Sequence, residues 1–155
     1  MVDATSETDA VQNKPTIGLL PFEPRVGMVS YHVADIQRSL DFYVGVLGMT
    51  ERGRFPGVGP DEHELVLSYP GSAGAWVMLM WNSKRSDPYK KGDGYSRFTI
   101  VVSDANAAMS YLQQRDVPVL VPVSAANNVL WAVVKDPDGY MIELLQFGGT
   151  SSASE

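Results

Sequence analysis

Apolar and polar residues alternate from Val26 to Val33, the period of a strand with one face turned to a core. Asp35 stands next, where a helix N-cap belongs, and Ile36, Leu40, Tyr43 and Leu47 recur at helical spacing after it. Gly48 is placed to close that helix, because the residue past a last turn commonly takes a left-handed conformation. Thr50 to Phe55, Glu64 to Tyr69 and Ala75 to Trp81 read as strands, the last two joined as a hairpin across Pro70 and Gly71. The plan then starts again. Arg97 to Val102 is a strand, Asp104 a second N-cap, and Ala108, Met109 and Leu112 mark a helix face that stops before Pro118. Val129 to Val134 and Tyr140 to Phe147 flank Asp136-Pro137-Asp138-Gly139, a second hairpin with proline and glycine at turn positions.

Sliding the sequence by 69 residues lays Val33-Ala34-Asp35 on Val102-Ser103-Asp104, and Leu40 and Tyr43 on Met109 and Leu112. The repeat predicts an α+β fold of two βαβββ modules, each with a sheet face too apolar to leave uncovered, paired around a cleft fit for a small molecule. The domain should run over 26–147, with an N-terminal tail or arm over 1–25 and a flexible C-terminus over 148–155. The apolar island Ile17 to Leu20 either belongs to a disordered tail or packs as an arm on a neighbouring subunit.

Composition narrows the function. With 155 residues, 45% of them hydrophobic, the chain can bury one ordinary core. It has no cysteine, which excludes disulfides, thiolate metal sites and a cysteine nucleophile. A formal charge of −6 with scattered lysines and arginines argues against nucleic acid and anionic membrane surfaces as partners. No stretch approaches the roughly 20 apolar residues that span a bilayer. Asp3, Glu7 and Asp9 are unlike the start of a secretory signal, so a cytoplasmic protein is expected.

The stretch from Val33-Ala34-Asp35-Ile36 through Ser39-Leu40-Asp41-Phe42-Tyr43, with Val46-Leu47-Gly48-Met49, resembles one signature of the vicinal-oxygen-chelate superfamily. Asp136-Pro137-Asp138-Gly139-Tyr140-Met141-Ile142-Glu143-Leu144 resembles the other. That superfamily holds the glyoxalases, bleomycin-resistance proteins and extradiol dioxygenases, and the resemblance spans Val26 to Phe147. It implies a glyoxalase-like fold, and commonly a homodimer. The motifs themselves are mostly scaffold, an amphipathic helix with its glycine and a tight turn, so function must come from the site.

Glyoxalase-like enzymes hold a divalent metal with one side chain from the first and one from the last strand of each module. Carried over position by position, the resemblance puts these ligands at Met28, Met78, Arg97 and Glu143. The internal repeat pairs Met28 with Arg97 independently. Only Glu143 suits a hard cation, since a thioether is soft and a guanidinium has no lone pair to give. No metal and no other cofactor is therefore expected, with a rearranged site around His32 and Glu143 as the alternative.

Strand alternation puts Ser30 and His32 on the face of Met28, and Met78 and Met80 on that of Trp76. Together with Thr99, Trp131 and Met141 these are the candidate ligand-binding residues. Arg97 either fills the vacated metal position as the ion-pair partner of Glu143 or grips a substrate carboxylate, phosphate or enolate. His63 and Glu64 are candidate rim residues without a specified role. The reading that follows is a lyase or isomerase, working by proton transfer next to a carbonyl or by elimination. Glu143 is the base, with Arg97 or His32 stabilising the anion. The ligand is small and organic, aromatic or carbonyl-containing. The alternative is a binding or resistance protein that sequesters an aromatic molecule, as bleomycin-resistance proteins do.

Overall fold

The computed structural model describes residues 27–72, 76–85 and 87–148. The expected N-terminal tail or arm over 1–25 and the end beyond Gly148 lie outside the described residues. The first module comprises β1 (Met28–His32), α1 (Ile36–Leu40), β2 (Thr50–Pro56), β3 (Glu62–Ser68) and β4 (Trp76–Asn82). The second comprises β5 (Arg97–Val101), α2 (Ala105–Gln113), β6 (Val119–Ala126), β7 (Val129–Lys135) and β8 (Met141–Phe147). Each forms a four-stranded sheet, ordered β1-β4-β3-β2 and β5-β8-β7-β6, with the first strand parallel to the last and the rest antiparallel. The repeated βαβββ plan is thus observed. β6, which the pattern did not single out, is an edge strand carrying Pro122 and two register shifts, a place where a missing N–H does little harm.

Both expected N-caps form. Asp35 accepts from the backbone N–H groups of Gln37 and Arg38, and Asp104 from that of Ala107. The first helix departs from the expected single α-helix. After Leu40 it widens into a π-helical stretch, Asp41–Val46, and the Leu47 N–H donates to the Phe42 carbonyl at 2.8 Å, five residues back. The wider turn directs the neighbours Phe42 and Tyr43 inward together, while Leu40 and Leu47 stay only partly buried. Gly48 ends the stretch at φ 72°, as its position suggested.

One core serves both modules. Tyr31, Leu65, Leu67 and Leu79 from the first sheet join Ile100, Ala132, Val134, Ile142 and Leu144 from the second, with Phe42, Tyr43, Met109 and Leu112 from the helices. All lie on the helix-bearing sides of the sheets. The opposite face of each sheet carries the candidate site residues and is less covered, with Met28 at 38% exposure and Val101 at 62%. Among the described residues, no helix is long and apolar enough to cross a membrane.

Polar groups tie the modules at their seam. The Tyr31 hydroxyl donates to that of Tyr43 at 2.6 Å, and Tyr43 donates to Asp136 Oδ2 at 2.7 Å. Asp136 sits in the turn before β8, is 3% exposed, and accepts the Tyr140 N–H on Oδ1. Burial raises its pKa, against which the Tyr43 and Tyr140 hydrogen bonds work. The folded state therefore favours the protonated acid. The stability this group contributes is greatest at low pH and is lost as pH rises through its folded-state pKa. Tyr43→Phe strips a donor from the ionised carboxylate and should cost about 1.5–3 kcal/mol near neutral pH. The loss should shrink as pH falls and Asp136 takes up a proton, which urea melts of mutant and parent between neutral pH and about pH 4 will read.

Candidate functional site

Strand pairing fixes which side chains share the uncovered faces. On the first sheet Met28 lies beside Trp76, Ser30 beside Met78 and His32 beside Met80, with Glu64 flanking Met80 from β3. This half is thioether and aromatic. The Trp76 indole N–H is buried without a hydrogen-bond partner among the described residues. On the second sheet Arg97 pairs with Met141 and Thr99 with Glu143, and Val133 and Trp131 of β7 stand beside Glu143 and Leu145. This half carries the Arg97–Glu143 ion pair.

Glu143 is held from two sides. Thr99 Oγ1 donates to its Oε2 at 2.7 Å, and Arg97 Nε lies 3.2 Å from its Oε1. The Glu143 side chain is 13% exposed, whereas that of Arg97 is 43% exposed. The two residues expected to replace the metal site of the second module are thus brought together. Met28 and Met78 are brought together on the other sheet. Among the described residues, the hydrogen bonds that cross between modules run from Tyr43 to Asp136, from Ala34 and Arg38 to Asp138, from Tyr111 to the Val46 carbonyl, and from Tyr140 to the His32 carbonyl. None of them involves Met28, Met78, Arg97 or Glu143.

His32 lies on the expected face, at its end. Its ring stacks on Tyr89, with centroids 4.6 Å apart, and its Nδ1 is buried with no partner among the described residues. With Asn82, Lys84, Arg85 and Tyr89 it lines a polar recess of about 450 Å³ at the end of the first sheet. The Arg85 guanidinium also lies over the Tyr89 ring, 4.3 Å from its centroid. Extending the β4 alternation by one step would have found Asn82. Tyr89 and Arg85 lie in the connection between modules, where no periodicity marks them. His63 stacks on Trp81 on the helix-bearing side and is no cleft residue, whereas Glu64 is on the uncovered face.

The divalent metal implied by the resemblance does not match this donor set. Two thioethers, a permanent cation and one carboxylate, with the cation 3.2 Å from the carboxylate, do not suit a hard metal. The described residues contain no group of three or more His, Asp or Glu arranged to hold one. The buried tyrosines are also poor bases. Burial raises the pKa values of Tyr31, Tyr43 and Tyr140, and pushes that of Tyr95 up to about 12, so all stay protonated near neutral pH.

Residues 25–144 match the family model described as the Glyoxalase/Bleomycin resistance protein/Dioxygenase superfamily. The chain belongs to this superfamily. It is similar to a probable lactoylglutathione lyase of Vibrio cholerae, 34% identical over 121 residues that cover 74% of this chain and 84% of the relative. The lactoylglutathione lyase of Escherichia coli O157:H7 is 33% identical over 128 residues, covering 74% and 86%. Among solved structures, the trypanothione-dependent glyoxalase I of Leishmania major superposes with a TM-score of 0.71 at 28% identity, over 80% of this chain and 87% of that one. TnmS3, an antibiotic binding protein from Streptomyces sp. CB03234, gives 0.64 at 25% identity, over 80% and 96%. The lyase relatives support a lyase of the glyoxalase family.

Because Arg97 is half-exposed and Glu143 keeps its Thr99 hydrogen bond, the ion pair should add little to stability. Arg97→Met should lower the unfolding free energy by about 1 kcal/mol or less at neutral pH, measured by urea melts. A loss several times larger would mean that the guanidinium mainly fills a hole.

Proposed function

We propose that the chain is a small-molecule enzyme of lyase or isomerase type, in the cytoplasm, that moves a proton next to a carbonyl without a divalent metal. The observation that carries this reading is the pair formed by a little-exposed carboxylate, Glu143, and a half-exposed guanidinium, Arg97, 3.2 Å apart. A ligand's oxyanion or carboxylate draws Arg97 toward itself, and the Glu143 carboxylate takes the proton from the carbon beside the carbonyl. The electron pair of the broken C–H bond moves into the enolate, whose oxygen Arg97 stabilises. Glu143 then returns the proton to the neighbouring carbon for an isomerisation, or a leaving group departs in an elimination. The thioether and aromatic half formed by Met28, Trp76, Met78 and Met80 favours a flat apolar or carbonyl-bearing group, and the recess at His32 and Asn82 suits a polar arm.

The two halves of this site belong to different modules, and their uncovered faces are partly exposed in a single chain. A homodimer that sets the first sheet of one copy over the second sheet of the other covers both and joins the two halves.

A second reading is favoured by the likeness to TnmS3 and by the aromatic, thioether-rich wall: a protein that binds an aromatic molecule without turnover. Glu143→Gln separates the two. With the hemithioacetal of methylglyoxal and glutathione and related carbonyl compounds as substrates, the enzyme reading expects turnover to fall by about 10²–10⁴-fold with binding retained. Tryptophan quenching by aromatic compounds, without turnover in the parent protein, supports sequestration instead.

Elemental analysis of the purified protein should find no stoichiometric divalent metal, and chelator should leave its melting curve unchanged. About one zinc or nickel per chain would reverse the reading of Met28, Met78 and Arg97. Light scattering at micromolar concentration should give twice the 16.9 kDa of one chain.

A further inference from the structure

Among the described residues, two arginine–glutamate pairs adopt different geometries. Arg54 and Glu51 make the fork expected of a guanidinium and a carboxylate, Nε to Oε1 at 2.7 Å and Nη2 to Oε2 at 2.9 Å, although both side chains are substantially exposed. Arg97 and Glu143 do not. Their ion pair is Nε to Oε1 at 3.2 Å with no forked hydrogen bonds, and Arg97 Nη1 turns to Ser96 Oγ at 3.5 Å. What distinguishes the second pair is Thr99. It sits directly across from Glu143 in the β5–β8 register and donates to Oε2 at 2.7 Å, which fixes the plane of the carboxylate in an orientation that is not a fork.

We propose that Thr99 is a positioning residue that orients the Glu143 carboxylate out of a fork with Arg97, so that the guanidinium keeps its terminal donors for the anionic group of a ligand. The assignment deepens the proposed function and rests on its reading of Arg97 as an anion site. A fork would use two of the guanidinium's donors on a carboxylate of the same chain, and a ligand anion would have to displace it. With Oε2 tied to Thr99, that competitor is weakened in advance. The same bond keeps Glu143 oriented when Arg97 moves, leaving Oε1 as the oxygen that faces the ligand.

The test uses the full chain and benzoate as the anionic aromatic probe, titrated by tryptophan fluorescence. Thr99→Val should weaken benzoate binding by on the order of tenfold, because Glu143 closes on Arg97. Thr99→Ser, which keeps the hydroxyl, should bind as the parent does. In a Glu143→Gln background Thr99→Val should have no further effect, since no carboxylate remains to compete. A merely structural role for Thr99 would weaken binding in both backgrounds, and that result overturns the proposal, as does a Thr99→Val protein that binds benzoate normally. A crystal structure of ligand-free Thr99→Val decides the geometry without any probe. Both Glu143 oxygens forked onto Arg97 are expected, and an unchanged single approach overturns the role of Thr99 even if the anion site is real. Failure of the parent to bind benzoate, alongside a forked pair in the variant, would instead locate the error in the anion-site reading and remove the ligand half of the proposal.

Discussion

Asp136 carries a carboxylate buried where the two modules meet, and the arrangement of both sheets depends on how it is satisfied. An ionised group at 3% exposure is costly unless donors surround it, and these come from both modules, the Tyr43 hydroxyl from the first and the Tyr140 N–H from the second. Tyr31 extends the chain into β1, whose end is pinned by Tyr140 donating to the His32 carbonyl. Asp138, two residues on, accepts from the Ala34 N–H and from Arg38 at the start of the first helix. The turn before β8 and the first helix thus hold each other at a fixed distance, and with them β1 and β8, the strands that carry Met28 and Glu143.

This explains why the two signatures occur together. The Phe42-Tyr43 dipeptide meets the Asp136 to Gly139 turn across the seam through the Tyr43 hydroxyl, which donates to Asp136. The π-helical stretch belongs to the same arrangement, because its wider turn lets Phe42 enter the core while Tyr43 reaches Asp136. Gly139 at φ 81° lets the chain reverse tightly enough for the Tyr140 N–H to fold back onto the Asp136 carboxylate.

With the scaffold fixed on the helix-bearing side, the opposite faces are free to change chemistry. In the first module the positions that the resemblance gives to metal ligands are thioethers, and in the second they are a cation and an acid joined as an ion pair. In the function proposed above, cation and acid must not fully neutralise each other. Glu143 is shared between the Thr99 hydroxyl at 2.7 Å and the Arg97 guanidinium at 3.2 Å.

The sequence by itself determined the two modules, the strand faces and the N-caps at Asp35 and Asp104, because periodicity and capping are local properties of the chain. It also put Arg97 beside Glu143, through the family's motif and the repeat. Tertiary structure alone decided how that pair is joined. A separation in sequence carries no side-chain rotamer, and whether a carboxylate forks onto arginine or is held by a threonine depends on the register of β5 against β8. The recess at His32, Tyr89 and Arg85 was likewise beyond reach, since it is built from strand ends and an aperiodic connection. The expectation of an α-helix from Ile36 to Leu47 failed for a related reason. Spacing alone favours the regular turn, and only the buried acid of the other module, distant in sequence, rewards the wider one.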